Sequence, residues 1–178
     1  MHKLVNEKLK EGIIEIAKRI EEDSNYSSGR HFNAGGLFKL VHYVLGTGGV
    51  VLGATAGISI FFVGVISMTI GGVSVILSAI FMGVLTLVGP GELSLQHLNA
   101  GNQYLSLKKD ASYFLNVSIE SITEEESKKG LRALQDRMKV LDDYNGQLWT
   151  PRMAFYKARK DIRKGFNEYD FHERSGGG

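Results

Sequence analysis

At 178 residues the chain has room for one domain, or for one small domain with an appendage. Its formal charge of +2 would suit an ordinary soluble protein, but the charge is segregated: 52 consecutive residues between Lys39 and Glu92 contain no Asp, Glu, Lys or Arg. That block excludes an ordinary soluble domain of this size and calls for a membrane, while the lack of cysteine excludes a cysteine nucleophile and fits a reducing compartment as well as others.

In chain order, Leu4, Val5, Leu9, Ile13, Ile16, Ala17 and Ile20 recur at three- and four-residue steps and predict an amphipathic helix. The Gly/Ser-rich polar run from Asp23 to Gly36 reads as a connector. The uncharged block follows. One bilayer crossing takes about 20 apolar residues. Two crossings therefore fit, over 40–62 and 68–88, with a turn near 63–67 and a close at Gly89-Pro90-Gly91. Arg30 and Lys39 lie before the block and Lys108 and Lys109 after it, so the positive-inside rule puts both termini in the cytoplasm.

The stretch GTGGVVLGATAG (46–57) is no phosphate loop, because no lysine occurs from 40 to 91 and Val51 breaks the dinucleotide pattern GxGxxG. Gly49, Gly53 and Gly57 fall at four-residue spacing, and Gly46 and Gly64 extend nearly the same face. In an apolar helix this is a surface for close helix packing or oligomerisation. On the second span Ser67, Gly71, Ser74 and Ser78 share one face. Their hydroxyls either bond to their own or a neighbouring helix or, in an oligomer, line a wet path as candidate pore-lining residues.

Beyond the block, helical periodicity resumes from Leu93 to Phe114, through Leu98, Leu105 and Ala111. Thr123 and Glu126 form a capping box that opens a helix through Leu131, Leu134, Met138 and Leu141, ending at Asn145-Gly146. Thr150 as N-cap and Pro151 at the first helical position start a last helix, with Phe155, Ala158, Ile162 and Phe166 as its apolar stripe. Arg152, Lys157, Arg159, Lys160, Arg163 and Lys164 stand there against the single acid Asp161. That basic face is either solvated or resting on anionic headgroups, or else a docking surface for an acidic partner or a nucleotide phosphate.

The five histidines, His2, His31, His42, His97 and His172, show no metal-ligand spacing, and no GxSxG or HExxH occurs. Glu124–Glu126 lie in a first helical turn, where the macrodipole favours acids, and read as a structural device. No enzyme, cofactor or direct nucleic-acid binding is expected. The expected fold is an all-α membrane protein, a two-helix transmembrane hairpin with a cytoplasmic helical bundle. Residues 1–36 form a helix and connector, 37–91 the hairpin, 92–168 the cytoplasmic region and 169–178 a flexible tail whose final Ser-Gly-Gly-Gly reads as an added linker.

The entry LVHYVLG (40–46), LGATAGIS (52–59), GELSLQHLNAGNQYLSLKKDASYFLNV (91–117) and WTPRMAFYKARKDIRKG (149–165) together resemble the SLATT family of bacterial two-span proteins. The resemblance implies an inner-membrane effector of an antiviral or conflict system. A separate sensor or nucleotide-signalling partner activates such an effector, which then compromises the membrane as an oligomer and arrests or kills the cell. It carries over no catalytic residue. His97, Tyr104, Lys108 and Lys109 match recurrent post-membrane positions of the family, as headgroup anchors or partner-docking residues. The alternative is a membrane-anchored scaffold that recruits a cytoplasmic partner.

Overall fold

Buried residues run at three- and four-residue steps along one face of the first helix: Ile13, Ala17, Ile20, Ser24, Ser28, His31, Ala34 and Phe38. The stripe does not stop at the expected connector; it only changes from apolar to small and polar. In the computed structural model, which describes residues 2–62, 64–118 and 123–163, helix α1 accordingly spans His2–Ser59 without a break. The connector expected over 23–36 is helical. Ser, Asn and Gly are poor helix formers by only about 0.5–1 kcal/mol each, and packing of one face outweighs that.

Four more helices follow: α2 (Val65–Val88), α3 (Pro90–Tyr113), α4 (Glu124–Asn145) and α5 (Arg152–Arg163), with a π-helical turn at Phe114–Ser118 closing α3. Among the described residues there is no strand. The all-helical architecture expected from periodicity is therefore present. Helices α1 and α2 each contain a stretch long and apolar enough to cross a membrane. At the turn, α1 ends at Ser59 and α2 begins at Val65, each three residues before the expected bound, while α2 ends at Val88 as expected; Val63, in the expected turn, lies outside the described residues.

The chain divides into two compact units. The first combines residues up to Ala34 with those from His97 onward. Its core joins Ile13, Ala17 and Ile20 of α1 to Tyr104, Leu107, Ala111 and Phe114 and to Leu131, Leu134 and Leu141 of α4. The N-terminal segment is thus part of the same body as the C-terminal helices, not an appendage. On α3 the buried face is His97, Ala100, Tyr104, Leu107 and Ala111, while Leu98 and Leu105 stay only half-buried on its flank. Gly101 admits the Phe32 ring, whose Cδ1 lies 2.9 Å from where a Cβ would stand. The capping box forms as expected: Thr123 N donates to Glu126 Oε2 at 2.9 Å and Glu126 N to Thr123 Oγ1 at 3.3 Å. The Thr123 N–H first, and then the Thr123 hydroxyl, which donates to the same oxygen at 2.8 Å, hold the Glu126 carboxyl below its ordinary pKa.

Helix α5 starts one residue later than expected. Pro151 O accepts from Ala154 N at 3.0 Å, and the Thr150 hydroxyl turns back to Leu148 O at 3.2 Å, so Thr150 is not the cap. The buried face of α5 is Ala154 and Ala158, with Phe155 42% exposed. The side chain of Ile162 and all of Phe166 lie outside what is described.

The second unit, Gly35–Gln96, is an antiparallel pair of apolar helices with the first turns of α3. Gly89 closes α2 in the left-handed conformation at φ 57°, donating its N–H to Leu85 O at 3.2 Å. Pro90 opens α3 immediately after it, the expected close of the block.

Candidate functional site

Two places in the molecule gather the residues singled out above: the seam of the apolar hairpin and the buried polar centre of the first unit.

At the seam, a Cβ on Gly46 would touch Leu85 at 3.9 Å, one on Gly49 the Met82 sulfur at 3.3 Å, and one on Gly53 the Ser78 hydroxyl at 3.5 Å. These three glycines let α2 approach α1 within the same chain. Gly48, which the four-residue spacing leaves out, is tighter still, with Phe81 2.8 Å from its virtual Cβ. Gly57 and Gly64 face open space instead, so the stripe expected over 46–64 works only in its first half. Its second half lines an open groove of about 840 Å³ with Ala56, Met68, Gly71 and Val75.

The serine face turns toward the same seam. Ser78 Oγ donates to Gly49 O at 2.9 Å and Ser67 Oγ to Ser59 O at 2.8 Å, while Ser74 is buried and Gly71 abuts Ser59. Ser67, Gly71 and Ser78 therefore make interhelical contacts inside one hairpin, with Ser74 buried on the same face, which is the first of the two roles considered for them. An uncompensated hydroxyl in an apolar setting costs more than one that finds a neighbouring carbonyl. The threonines follow the same logic within their own helices. Thr47 donates to Tyr43 O, Thr55 to Val51 O, Thr69 to Val65 O and Thr86 to Met82 O, all between 2.6 and 2.9 Å.

The polar centre was not visible as a motif, because its members are 66 residues apart. His31 Nδ1 lies 2.9 Å from His97 Nδ1, with both residues 0% exposed. The neighbours fix the proton positions. Trp149 O, 3.2 Å from His97 Nε2, can only accept, so His97 carries its hydrogen on Nε2 and offers Nδ1 as acceptor. His31 must then donate from Nδ1, leaving its Nε2 to accept from Arg30 Nη2 at 3.4 Å. The chain runs Arg30, His31, His97, Trp149 carbonyl, with both imidazoles neutral. Burial first, and then the Arg30 charge, lowers the His31 pKa to about 4. His97 is also lowered by burial, against the opposing bond to Trp149.

Tyr104 stacks on His31 with ring centres 5.6 Å apart and planes 12° from parallel, and its hydroxyl donates to Asp142 Oδ1 at 2.8 Å. Burial and that carboxylate hold its pKa well above the ordinary range. His97 and Tyr104, expected at an interface, are thus interior residues. Lys108 Nζ donates to Asn25 Oδ1 at 3.2 Å, and Lys109 is exposed. Arg152, Lys157, Arg159 and Lys160 are exposed on α5. The Arg163 side chain and Lys164 lie outside the described residues. No cluster of three or more His, Asp or Glu able to hold a metal occurs among the described residues.

Compared with known proteins, the chain matches no family model, no curated protein and no solved structure.

Proposed function

We propose that this chain is a bacterial inner-membrane effector of an antiviral or conflict system. In this reading the apolar hairpin crosses the bilayer twice and the first unit and both termini face the cytoplasm. Activated by a sensor partner or a nucleotide signal, further copies assemble through their outward faces and breach the membrane.

The observation that carries the membrane reading is how the hairpin treats its surface. Large apolar side chains point outward, among them Val50 at 70%, Phe61 at 85% and Leu87 at 89% exposed. Meanwhile Thr47, Thr55, Ser59, Ser67, Thr69, Ser78 and Thr86 all return their hydroxyls to backbone carbonyls. Water would satisfy those hydroxyls and penalise that apolar surface; lipid reverses both terms. The basic residues on both flanks support the orientation, and the likeness to the SLATT family supports the effector role.

One observation favours the second reading, a membrane-anchored scaffold: Gly46, Gly49 and Gly53 and the serine face meet partners within the chain, so these surfaces are already occupied in a single hairpin. Inducible expression in bacteria with a voltage-sensitive dye separates the two. The control is the Gly49→Leu, Gly53→Leu variant, whose added side chains would meet Met82 and Ser78 and wedge the helices apart. We expect the parent to depolarise the membrane within minutes and the variant, inserted at equal level, to lose that effect. Unchanged potential with the parent, even when the genes beside it are co-expressed, would leave the scaffold reading.

A further inference from the structure

Among the described residues of the first unit, no carboxylate forms a salt bridge with the Arg30 cation. Arg30 Nε is buried and has no hydrogen-bond partner, and no salt bridge reaches Arg30 or Arg152 among the described side chains. Asp142, in the same unit, is engaged by the Tyr104 hydroxyl. A guanidinium N–H withdrawn from water without an acceptor is costly, and an anion would supply the acceptor and offset the charge together.

The space for one is present. A pocket of about 300 Å³ is lined by Arg30, Thr150, Arg152, Phe155 and Tyr156. Its two guanidinium groups come from elements far apart in sequence, α1 and the start of α5. Phe155 and Tyr156 give it an aromatic wall, and Tyr26 packs edge-on against Phe155 with ring centres 5.3 Å apart. The Tyr26 hydroxyl is also buried, with no hydrogen-bond partner among the described residues. Burial raises the Tyr26 pKa, while the charges of Arg30 and Arg159 pull against that rise, so a third guanidinium also acts near this corner.

We propose that this pocket binds a phosphate group, with Arg30 and Arg152 as its paired guanidinium ligands and the rest of the ligand lying on Phe155 and Tyr156. Two guanidinium groups match a dianionic phosphate in charge and in fork geometry better than they match a single carboxylate. The volume admits a phosphate with a small ring or the glycerol end of a lipid, so the same chemistry can arrive free in solution or on a phospholipid headgroup. The proposal does not depend on membrane breaching.

The test uses the full chain in maltoside micelles, which contain no phosphate, and isothermal titration with two probes: phenyl phosphate and dioctanoyl phosphatidic acid. Arg30→Gln and Arg152→Gln are compared with Arg132→Gln, which removes the same charge from the exposed face of α4. Arg152 is exposed, so its variant keeps the fold, which helix content by circular dichroism verifies. At least tenfold weaker binding in the two pocket variants, with Arg132→Gln unchanged, is the expected result. Seen with phenyl phosphate it identifies a soluble phosphate ligand; seen only with phosphatidic acid it identifies the headgroup. Binding of neither probe, or equal weakening by Arg132→Gln, would overturn the proposal.

Discussion

At the residue scale, the decisive pair is His31 and His97. Their hydrogen-bond chain has room for one proton between the two Nδ1 atoms, so adding a second sets N–H against N–H beside the Arg30 charge. The consequence for stability has a definite sign. An exposed histidine in the unfolded chain titrates near pH 6.5, whereas His31 titrates near 4 in the fold. Above pH 6.5 neither state gains protons. As pH falls from about 6.5 toward 4 the unfolded chain binds protons that the fold refuses, so stability falls through that window and levels off below it. Thermal melts of the first unit's helices in the full chain should therefore drop progressively between pH 7 and pH 5. His31→Gln should flatten that slope, and a melting temperature that stays constant over the interval would rule out the neutral chain. Glu126, held low by its cap, adds its own acid sensitivity only below its ordinary pKa near 4.5, outside the interval tested.

At the scale of the helix, the same residue type is used in opposite ways. Gly46, Gly49 and Gly53 mid-helix bring two backbones together, while Gly89 ends a helix by taking the left-handed conformation. Polar residues divide similarly between interior and end. Ser24 and Ser28 are buried along α1, and Thr123 caps α4. The cap is the simplest to test. Thr123→Ala removes the acceptor for Glu126 N and one partner of its carboxylate, and caps of this kind contribute about 1 kcal/mol. We expect a melting temperature a few degrees lower, with an unchanged helix content at 20 °C; no change would mean that α4 is held by the Leu131, Leu134 and Leu141 contacts alone. Periodicity made α4 legible because the middle of its buried face, Leu131, Leu134 and Leu141, is apolar. It did not reveal the continuity of α1, since a periodicity count scores Ser24, Ser28 and His31 as polar although they lie buried on the same face as Ile13 and Ala17.

At the scale of the whole molecule, the proposed topology makes a prediction about access. The chain has no cysteine, so single cysteines report without background. In spheroplasts, a membrane-impermeant maleimide should label Phe62→Cys in the hairpin turn and spare Ser112→Cys on α3, which should react only after lysis. Labelling of both from outside, or release of the chain by alkaline carbonate, would refute the two-span arrangement.

The sequence by itself determined the all-helical class, the 52-residue apolar block, the α4 cap and the general use of glycine for helix packing, because each depends on local propensity or on composition over one stretch. Only the tertiary structure decided which partners those surfaces meet. It turned the serine face onto α1 and drew the N-terminal segment into the body of the C-terminal helices. It also set His31 against His97 and Arg30 beside Arg152. These are contacts between residues far apart along the chain, and spacing within a helix carries no information about what lies across from it.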